Sequence, residues 1–373
     1  MTILKPQARP TRPYFSSGPC AKPPGWSADK LATDSLGRSH RSKLGKARLK
    51  RCIDLMRSCL QLPDTHRIGI VPGSDTGAYE MAMWTMLGAR PVTALAWESF
   101  GEGWVTDVVK QLKLDPLVVR ADYGQLPDLA AVDWNSDVLF TWNGTTSGVR
   151  VPDGEWIAED RAGLSIADAT SAVFAYDLPW DRIDVATFSW QKVLGGEGAH
   201  GVLILGPRAV ERLESYTPAW PLPKLFRLTK GGKLTEGVFA GETINTPSML
   251  AVEDAIFALE WIEGLGGLGG AIARTQANAA ALDRIVEQRP WLGHLAADPA
   301  SRSTTSVCLT VDGADEARIK RMASLLEAEG AAFDIAGYRD APPGLRIWCG
   351  ATVEAEDIVA LGPWLDWAFE ATA

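Results

Sequence analysis

The sequence has little of what would assign it to the commonest metal or disulfide classes. Its five cysteines, at positions 20, 52, 59, 308 and 349, are odd in number and form no Cys-x-x-Cys pair. That pattern argues against a disulfide framework and against a zinc site. Four histidines, widely scattered, offer no cluster for a histidine-based metal centre, so no metal is expected. No apolar run reaches the ~18 to 20 residues of a membrane span. The opening stretch MTILKPQARPTRPYF lacks the apolar core of a signal peptide. No membrane partner is expected, and the default compartment is the cytoplasm. Positive charge is also scarce: 37 Lys and Arg against 46 Asp and Glu leave a net charge of −9. That sign argues against a general nucleic-acid binder. No internal repeat or low-complexity segment stands out.

What is there is an alternation of short apolar runs and helical patterns. The 373 residues are 46% hydrophobic, enough to bury a large core and to form two domains. Strand-like runs occur at HRIGIVP (66–72), VTALAW (92–97), SDVLFTWN (136–143), GLSIADAT (163–170), DVATFSWQ (184–191) and GVLILG (201–206). Helical patterns fall at 76–87 and 103–114. A helix lead-in with Leu49, Ile53, Met56 and Leu60 as its apolar stripe runs through 43–60. The expected fold class is α/β, a mostly parallel sheet flanked by helices. In such sheets ligands bind beyond the carboxyl ends of the strands. The composition shifts at EGLGGLGGAIA (263–273), between a helix at 248–263 and another beginning near 273. The GLGGLG run fits a dinucleotide fingerprint, but it follows a helix instead of a strand, so a domain-joining turn is the reading taken. Strands at 303–311 and 344–349 and a helix at 315–330 then suggest a smaller α+β domain. The expected division is an N-terminal segment 1–30, a large domain 31–265 and a small C-terminal domain 266–373.

Lys192 poses the functional question. It follows an apolar run and precedes a glycine-rich loop, FSWQKVLGGEGAHG. Asp168 ends another run, where a buried carboxylate could face a protonated ring nitrogen. PGSDTGAYE (72–80) is a strand-to-helix turn whose Ser74, Thr76 and backbone N–H groups could cradle a phosphate. WNGTTSG (142–148) adds Asn143, Thr145 and Thr146 at a further strand end. A lysine for a Schiff base, an aspartate for the ring nitrogen and a phosphate cradle are the parts a pyridoxal 5'-phosphate site requires.

The order of FSSGP (15–19), SHRS (39–42), GSDTGAYE (73–80), NGTTSG (143–148), ADATS (167–171), SWQK (189–192), INTPS (244–248) and GLRIWCG (344–350) resembles a known family. The chain is similar to the class V aminotransferases of fold type I, and within them to the phosphoserine aminotransferases. The resemblance covers almost the whole chain. It implies a homodimer with shared active sites and transfer of an amino group between glutamate and 3-phosphohydroxypyruvate, with 4-phosphohydroxythreonine as a further substrate in some members. By that resemblance Lys192 is the Schiff-base lysine and Asp168 the partner of the ring nitrogen. Gln191 contacts the cofactor phosphate, Asp75 and Thr76 fall in its loop, and Thr145 lies near the ring hydroxyl. Asn245 and Thr246 reach the phosphate from the neighbouring subunit. His40 and Arg41 match the substrate-phosphate pair, and Arg346 the carboxylate arginine.

The chain departs from the pattern in three places. Phe100 takes the position where many relatives stack a tryptophan on the ring, with Trp97 and Trp104 flanking it. GSDTG lacks an arginine that many relatives carry. RIWCGA replaces the usual continuation after the arginine, so Arg339 competes with Arg346 for the carboxylate. Three alternatives remain open at this point: an alanine–glyoxylate-type transaminase, a cysteine desulfurase-like lyase using Cys308 or Cys349, and a non-catalytic regulator that keeps the cofactor pocket. The lyases usually place a histidine before the lysine, and here that residue is Gln191.

Overall fold

The computed structural model describes residues 4–373. Its centre is a seven-stranded sheet made from β1 (Arg67–Pro72), β2 (Val92–Ala96), β3 (Leu117–Arg120), β4 (Asp137–Thr141), β7 (Ser165–Asp168), β8 (Val185–Ser189) and β9 (His200–Leu205). Between β4 and β7 the chain forms a small hairpin of β5 (Asn143–Gly144) and β6 (Val149–Arg150). The strand order is β1-β9-β8-β7-β4-β2-β3. Only β9 runs against its neighbours, so the sheet is mostly parallel. Strands β2, β4 and β8 are buried along their whole length. That is why they read as continuous apolar runs and not as alternating ones.

Helices cover both faces. On one side α2 (Ser74–Met86), α3 (Ser99–Thr106) and α4 (Pro207–Ser215) bury Tyr79, Met83, Val105 and Leu213 against the sheet. On the other, α1 (Lys43–Cys59) packs along α5 (Met249–Gly264), burying Leu49, Ile53, Met56, Val252 and Leu259. Ser42 caps α1 by accepting from Gly45 N. A two-residue ladder of β10 (Thr229–Lys230) and β11 (Lys233–Leu234) lies beside α4.

The glycine run is a corner. Helix α5 ends at Gly264, and α6 (Leu268–Glu287) leaves at 87° to it. Gly266 and Gly267 take φ of 95° and 75°, which glycine reaches without steric cost. The fold therefore gives this run a turn-forming role. Among the described residues no single helix is long and apolar enough to cross a membrane.

The C-terminal part has an antiparallel sheet of β12 (Leu292–His294), β13 (Ser306–Val311) and β14 (Gly344–Trp348), backed by α7 (Glu316–Ala328) and α8 (Ala355–Ala371). The N-terminal segment is tied to this part. Trp348 N donates to Phe15 O at 3.0 Å, and Phe333 N to Pro13 O at 2.8 Å.

Candidate active site

Strands β1, β2, β4, β7 and β8 all direct their carboxyl ends toward one cavity of about 260 Å³. Lys192 lies at its base, three residues beyond β8. The side chain is buried, and Nζ donates to Ser17 O. The N-terminal segment supplies that acceptor because Cys20 N donates to Gln191 O at 2.9 Å, pinning the two stretches together. Gly18 sits directly over the amine. A Cβ there would stand 2.7 Å from Nζ and push the lysine aside, and the φ of 151° at Gly18 is one that glycine alone adopts without strain. Burial lowers the Lys192 pKa from its ordinary value. Arg346 lowers it further, while Cys20, Asp168 and Glu98 oppose the shift.

Asp168 is the last residue of β7, in register with Thr141 on β4 and Thr187 on β8. Its Oδ1 accepts from Thr170 N and its Oδ2 from Trp104 Nε1, both at 3.1 Å. Asp75, in the first turn of α2, turns its carboxyl under the cavity toward Asp168, Thr187 and Thr170. Burial and the Asp168 charge hold its pKa well above the usual carboxylate range. The backbone N–H groups opening α2 have no acceptors within the helix, and Thr76 stands beside them at the cavity wall. Thr145 donates through Oγ1 to Ser171 Oγ at 2.9 Å, and Asn143 Nδ2 donates to the same oxygen at 2.8 Å.

Five buried side-chain atoms on the cavity wall lack a hydrogen-bond partner: Asp75 Oδ1, Thr141 Oγ1, Asn143 Oδ1, Thr170 Oγ1 and Gln191 Oε1. Buried polar groups are normally paired. Five such atoms in a mostly apolar wall, between a lysine and a carboxylate, fit a ligand that has an apolar ring with polar groups around it, as a phosphorylated pyridine does.

Of the three aromatic candidates, Phe100 and Trp104 line the cavity and Trp97 does not. Phe100 lines the cavity and is 40% exposed, with Tyr338 at 5.8 Å between ring centroids. Trp104 is buried against Tyr79 at 4.6 Å and spends its N–H on Asp168. Trp97 is also buried, with its N–H donated to Val149 O. The two arginines separate as well. Arg346 on β14 has a buried Nε without a partner, and its guanidinium acts on Lys192, Cys20 and Cys308. Arg339 is a surface residue, 81% exposed and paired with Asp340. Cys308 and Cys349 are buried, and burial pushes the Cys308 thiol up to about 12 and the Cys349 thiol higher still. Cys308 lies within β13, and Cys349, just past β14, is held by its N–H donating to Thr305 O at 2.7 Å.

His40, Arg41, Asn245 and Thr246 do not line this chain's cavity. They share a different surface instead. Lys46, just beyond the SHRS stretch, pairs with Glu242 at 2.7 Å, and Arg41 helps hold the Glu242 carboxyl below its usual pKa. The 241–248 loop is anchored by Ser248 N donating to His200 Nε2 at 3.0 Å.

Three contributors were missed by reading the sequence: Glu98, the Trp104 indole on Asp168, and Ser171. Glu98 and Trp104 act through folded proximity, across 48 residues to Thr146 and 64 to Asp168. Ser171 lay in a quoted motif, but only the fold brings it to Asn143 and Thr145.

A phosphoserine aminotransferase from Methanosarcina barkeri is 59% identical over 98% of this chain and 99% of its own length. This chain belongs to the phosphoserine aminotransferase family. No family model matches the chain. Among solved structures, a phosphoserine aminotransferase from Cytophaga hutchinsonii superposes with a TM-score of 0.83 at 20% identity, over 96% of this chain and 99% of that one. A pyridoxamine-pyruvate aminotransferase from Mesorhizobium loti reaches 0.82 at 20% identity, over 99% and 94%. The fold is therefore that of the family but also of other aminotransferases, and the choice of substrate rests on side chains.

Proposed function

We propose that the chain is a pyridoxal 5'-phosphate-dependent phosphoserine transaminase, passing an amino group between glutamate and 3-phosphohydroxypyruvate to give O-phosphoserine and 2-oxoglutarate. The observation that carries this reading is the buried Lys192 amine, of lowered pKa, in one cavity with the buried Asp168 carboxylate. When bound, the cofactor supplies an aldehyde that takes the amino group and a ring that accepts the electron pair left on Cα.

The protein's own groups do the rest. Lys192 Nζ holds the cofactor and then takes and returns the Cα proton, a task suited to an amine whose pKa burial has lowered. Asp168 keeps the ring nitrogen protonated, and Trp104 and Thr170 orient its two oxygens. Thr145 serves the ring hydroxyl. Thr76, Gln191 and the first turn of α2 hold the phosphate, with Asp75 below them. Phe100 covers the ring face. Arg346 binds the substrate carboxylate in preference to Arg339, because it alone of the two points into the protein.

The same reading makes the enzyme a cytoplasmic homodimer divided at 1–30, 31–265 and 266–373. Asn245 and Thr246 of the partner subunit complete the phosphate site, and His40 and Arg41 of the partner subunit take the substrate phosphate. The Lys46–Glu242 pair supports this, since it joins both stretches on a surface away from their own cavity. The basic stretch from Arg38 to Lys46 contains no acid. It supplies the local positive charge a dianionic substrate needs on a protein of charge −9.

The test is a visible spectrum of the purified protein followed by half-reactions with phosphoserine, serine and alanine. A cofactor band that phosphoserine discharges much faster than the other two supports the reading. Equal rates with serine or alanine move the chain to the alanine–glyoxylate type. A band that no amino donor discharges leaves a cofactor-binding regulator.

A further inference from the structure

Glu98 follows β2 at the carboxyl edge of the sheet and is 2% exposed, yet it lines the cavity. Its Oε1 accepts from Gly101 N at 2.8 Å as the N-cap of α3, the helix that carries Phe100 and Trp104. Its Oε2 accepts from Thr146 Oγ1 at 2.8 Å and from Thr146 N at 3.4 Å, in the turn that presents Thr145. Ser99 N closes the same junction by donating to Thr146 Oγ1 at 3.3 Å. One carboxylate thus ties the wall bearing the ring-covering phenylalanine to the wall bearing Thr145.

We propose that Glu98 is a positioning residue for transamination, acting as an ionised clasp that fixes Phe100 and Thr145 against each other. The proposal rests on the transaminase reading above. Both donors that meet Oε2 come from Thr146. A proton on that oxygen sets donor against donor at Thr146 N and forces the Thr146 hydroxyl to turn round and accept, which weakens the tie to the turn while Oε1 still caps α3. Burial pushes the Glu98 carboxyl up to about 7, Asp168 adds to the shift, and the Gly101 and Thr146 hydrogen bonds oppose it. The clasp therefore loosens on the acid side of neutrality.

The charged and titratable groups that face Glu98 are Asp168 on β7, Lys192 beyond β8 and Cys308 on β13. Behind it lies a second cavity of about 570 Å³, which Glu98 shares with Glu102, Arg120, Asp122, Tyr123 and Asp340. Glu102 and Arg120 are paired with each other at 2.6 Å. From Thr146 Oγ1 a polar chain runs to Tyr123 OH at 3.5 Å, on to Ser99 Oγ at 2.6 Å and to Asp340 Oδ2 at 3.4 Å. It gives the buried carboxyl a route for proton exchange with the outer cavity.

The test compares Glu98→Gln, which keeps the α3 cap but cannot ionise, with Glu98→Ala, which removes both ties. The glutamate half-reaction is followed from pH 5.5 to 9, and cofactor affinity and the visible circular dichroism of the bound cofactor are measured alongside. In the native protein the half-reaction should fall as pH drops through about 7. Glu98→Gln should be slower by about ten-fold above that pH and lack the step, since hydrogen bonds to a charged group carry an effect of that order. Glu98→Ala should also weaken cofactor binding about ten-fold and alter the dichroic band. Native rates with the same acid step in Glu98→Gln, or unchanged affinity and dichroism in Glu98→Ala, overturn the proposal and leave the transaminase reading standing. A native protein that takes up no cofactor overturns both.

Discussion

The two edges of the central sheet bury the same kind of residue and treat it in opposite ways. At the amino edge, Asp137 opens β4 and Asp184 immediately precedes β8, and each meets a guanidinium bidentately. Arg212 grips Asp137 at 2.7 and 3.0 Å, and Arg161 grips Asp184 at 3.1 and 3.0 Å. Backbone donors Leu164 N and Ser165 N fill further oxygen positions at 2.9 Å. At the carboxyl edge, Asp168 and Glu98 lean on indole, hydroxyl and amide donors. Asp75 faces another carboxylate. The amino edge spends its charges on holding the sheet together. The carboxyl edge leaves polar capacity open for a ligand, a cost in stability that functional sites commonly carry.

Breaking the carboxyl edge should hurt chemistry most. Asp168→Asn keeps shape and loses charge. Removing one member of a buried charge pair costs about 3 to 5 kcal/mol, so turnover should fall by about 100-fold or more while the fold survives. Stopped-flow half-reactions check this, and a near-normal rate would make Asp168 structural. Breaking the amino edge should hurt stability instead. Asp184→Ala leaves the Arg161 guanidinium buried at 3% exposure without its counter-charge. Unfolding free energy should drop by roughly 3 to 5 kcal/mol, read from denaturant midpoints, with the cofactor spectrum of the folded fraction unchanged.

A pH series sharpens the contrast. Glu98 and Asp75 keep their protons to higher pH folded than unfolded, so the folded state binds more protons over that interval. Stability of the cofactor-free protein should fall as pH rises, for Glu98 between about 4.5 and about 7. Glu98→Gln should flatten that part of the curve, and an unchanged slope would contradict the assignment. The smallest effect belongs to an unpartnered hydroxyl. Thr187 Oγ1 is buried beside the Asp75 carboxyl but outside good hydrogen-bond geometry, so the isosteric Thr187→Val should leave cofactor-free stability within about 1 kcal/mol of the original. A larger loss would mean that the hydroxyl is paired.

Much of this was legible from residue order, for reasons the fold makes plain. Strands β2, β4 and β8 were visible because burial on both faces demands unbroken apolar runs, and the polar residue that ends such a run marks the ligand edge. Lys192 and Asp168 were found that way. Strand β3 was not, since it lies at the sheet edge with Leu117 54% exposed. Helix α8 hid behind Gly362–Pro363, a pair that reads as a break although the helix continues through it. Glu98 stayed hidden because its second partner, Thr146, is 48 residues away in sequence. Arg339 and Arg346 look alike in sequence, and only the fold distinguishes the exposed Arg339 from Arg346 on β14 with its buried Nε.

The clasp of Ser17 over Lys192 also sets an order of assembly. Both residues leave the ribosome long before Trp348, whose N–H holds Phe15 in place. Until then the strap is tied to the lysine stretch by Cys20 N on Gln191 O and by Ser17 O on Lys192 Nζ. The outer end of the strap, Pro13 and Phe15, gains its backbone partners Phe333 and Trp348 only when the C-terminal part folds. The Trp348 tie to Phe15 is thus among the longest-range contacts in the molecule, and a chain terminated short of β14 would keep Lys192 and Ser17 but lose both that tie and Arg346.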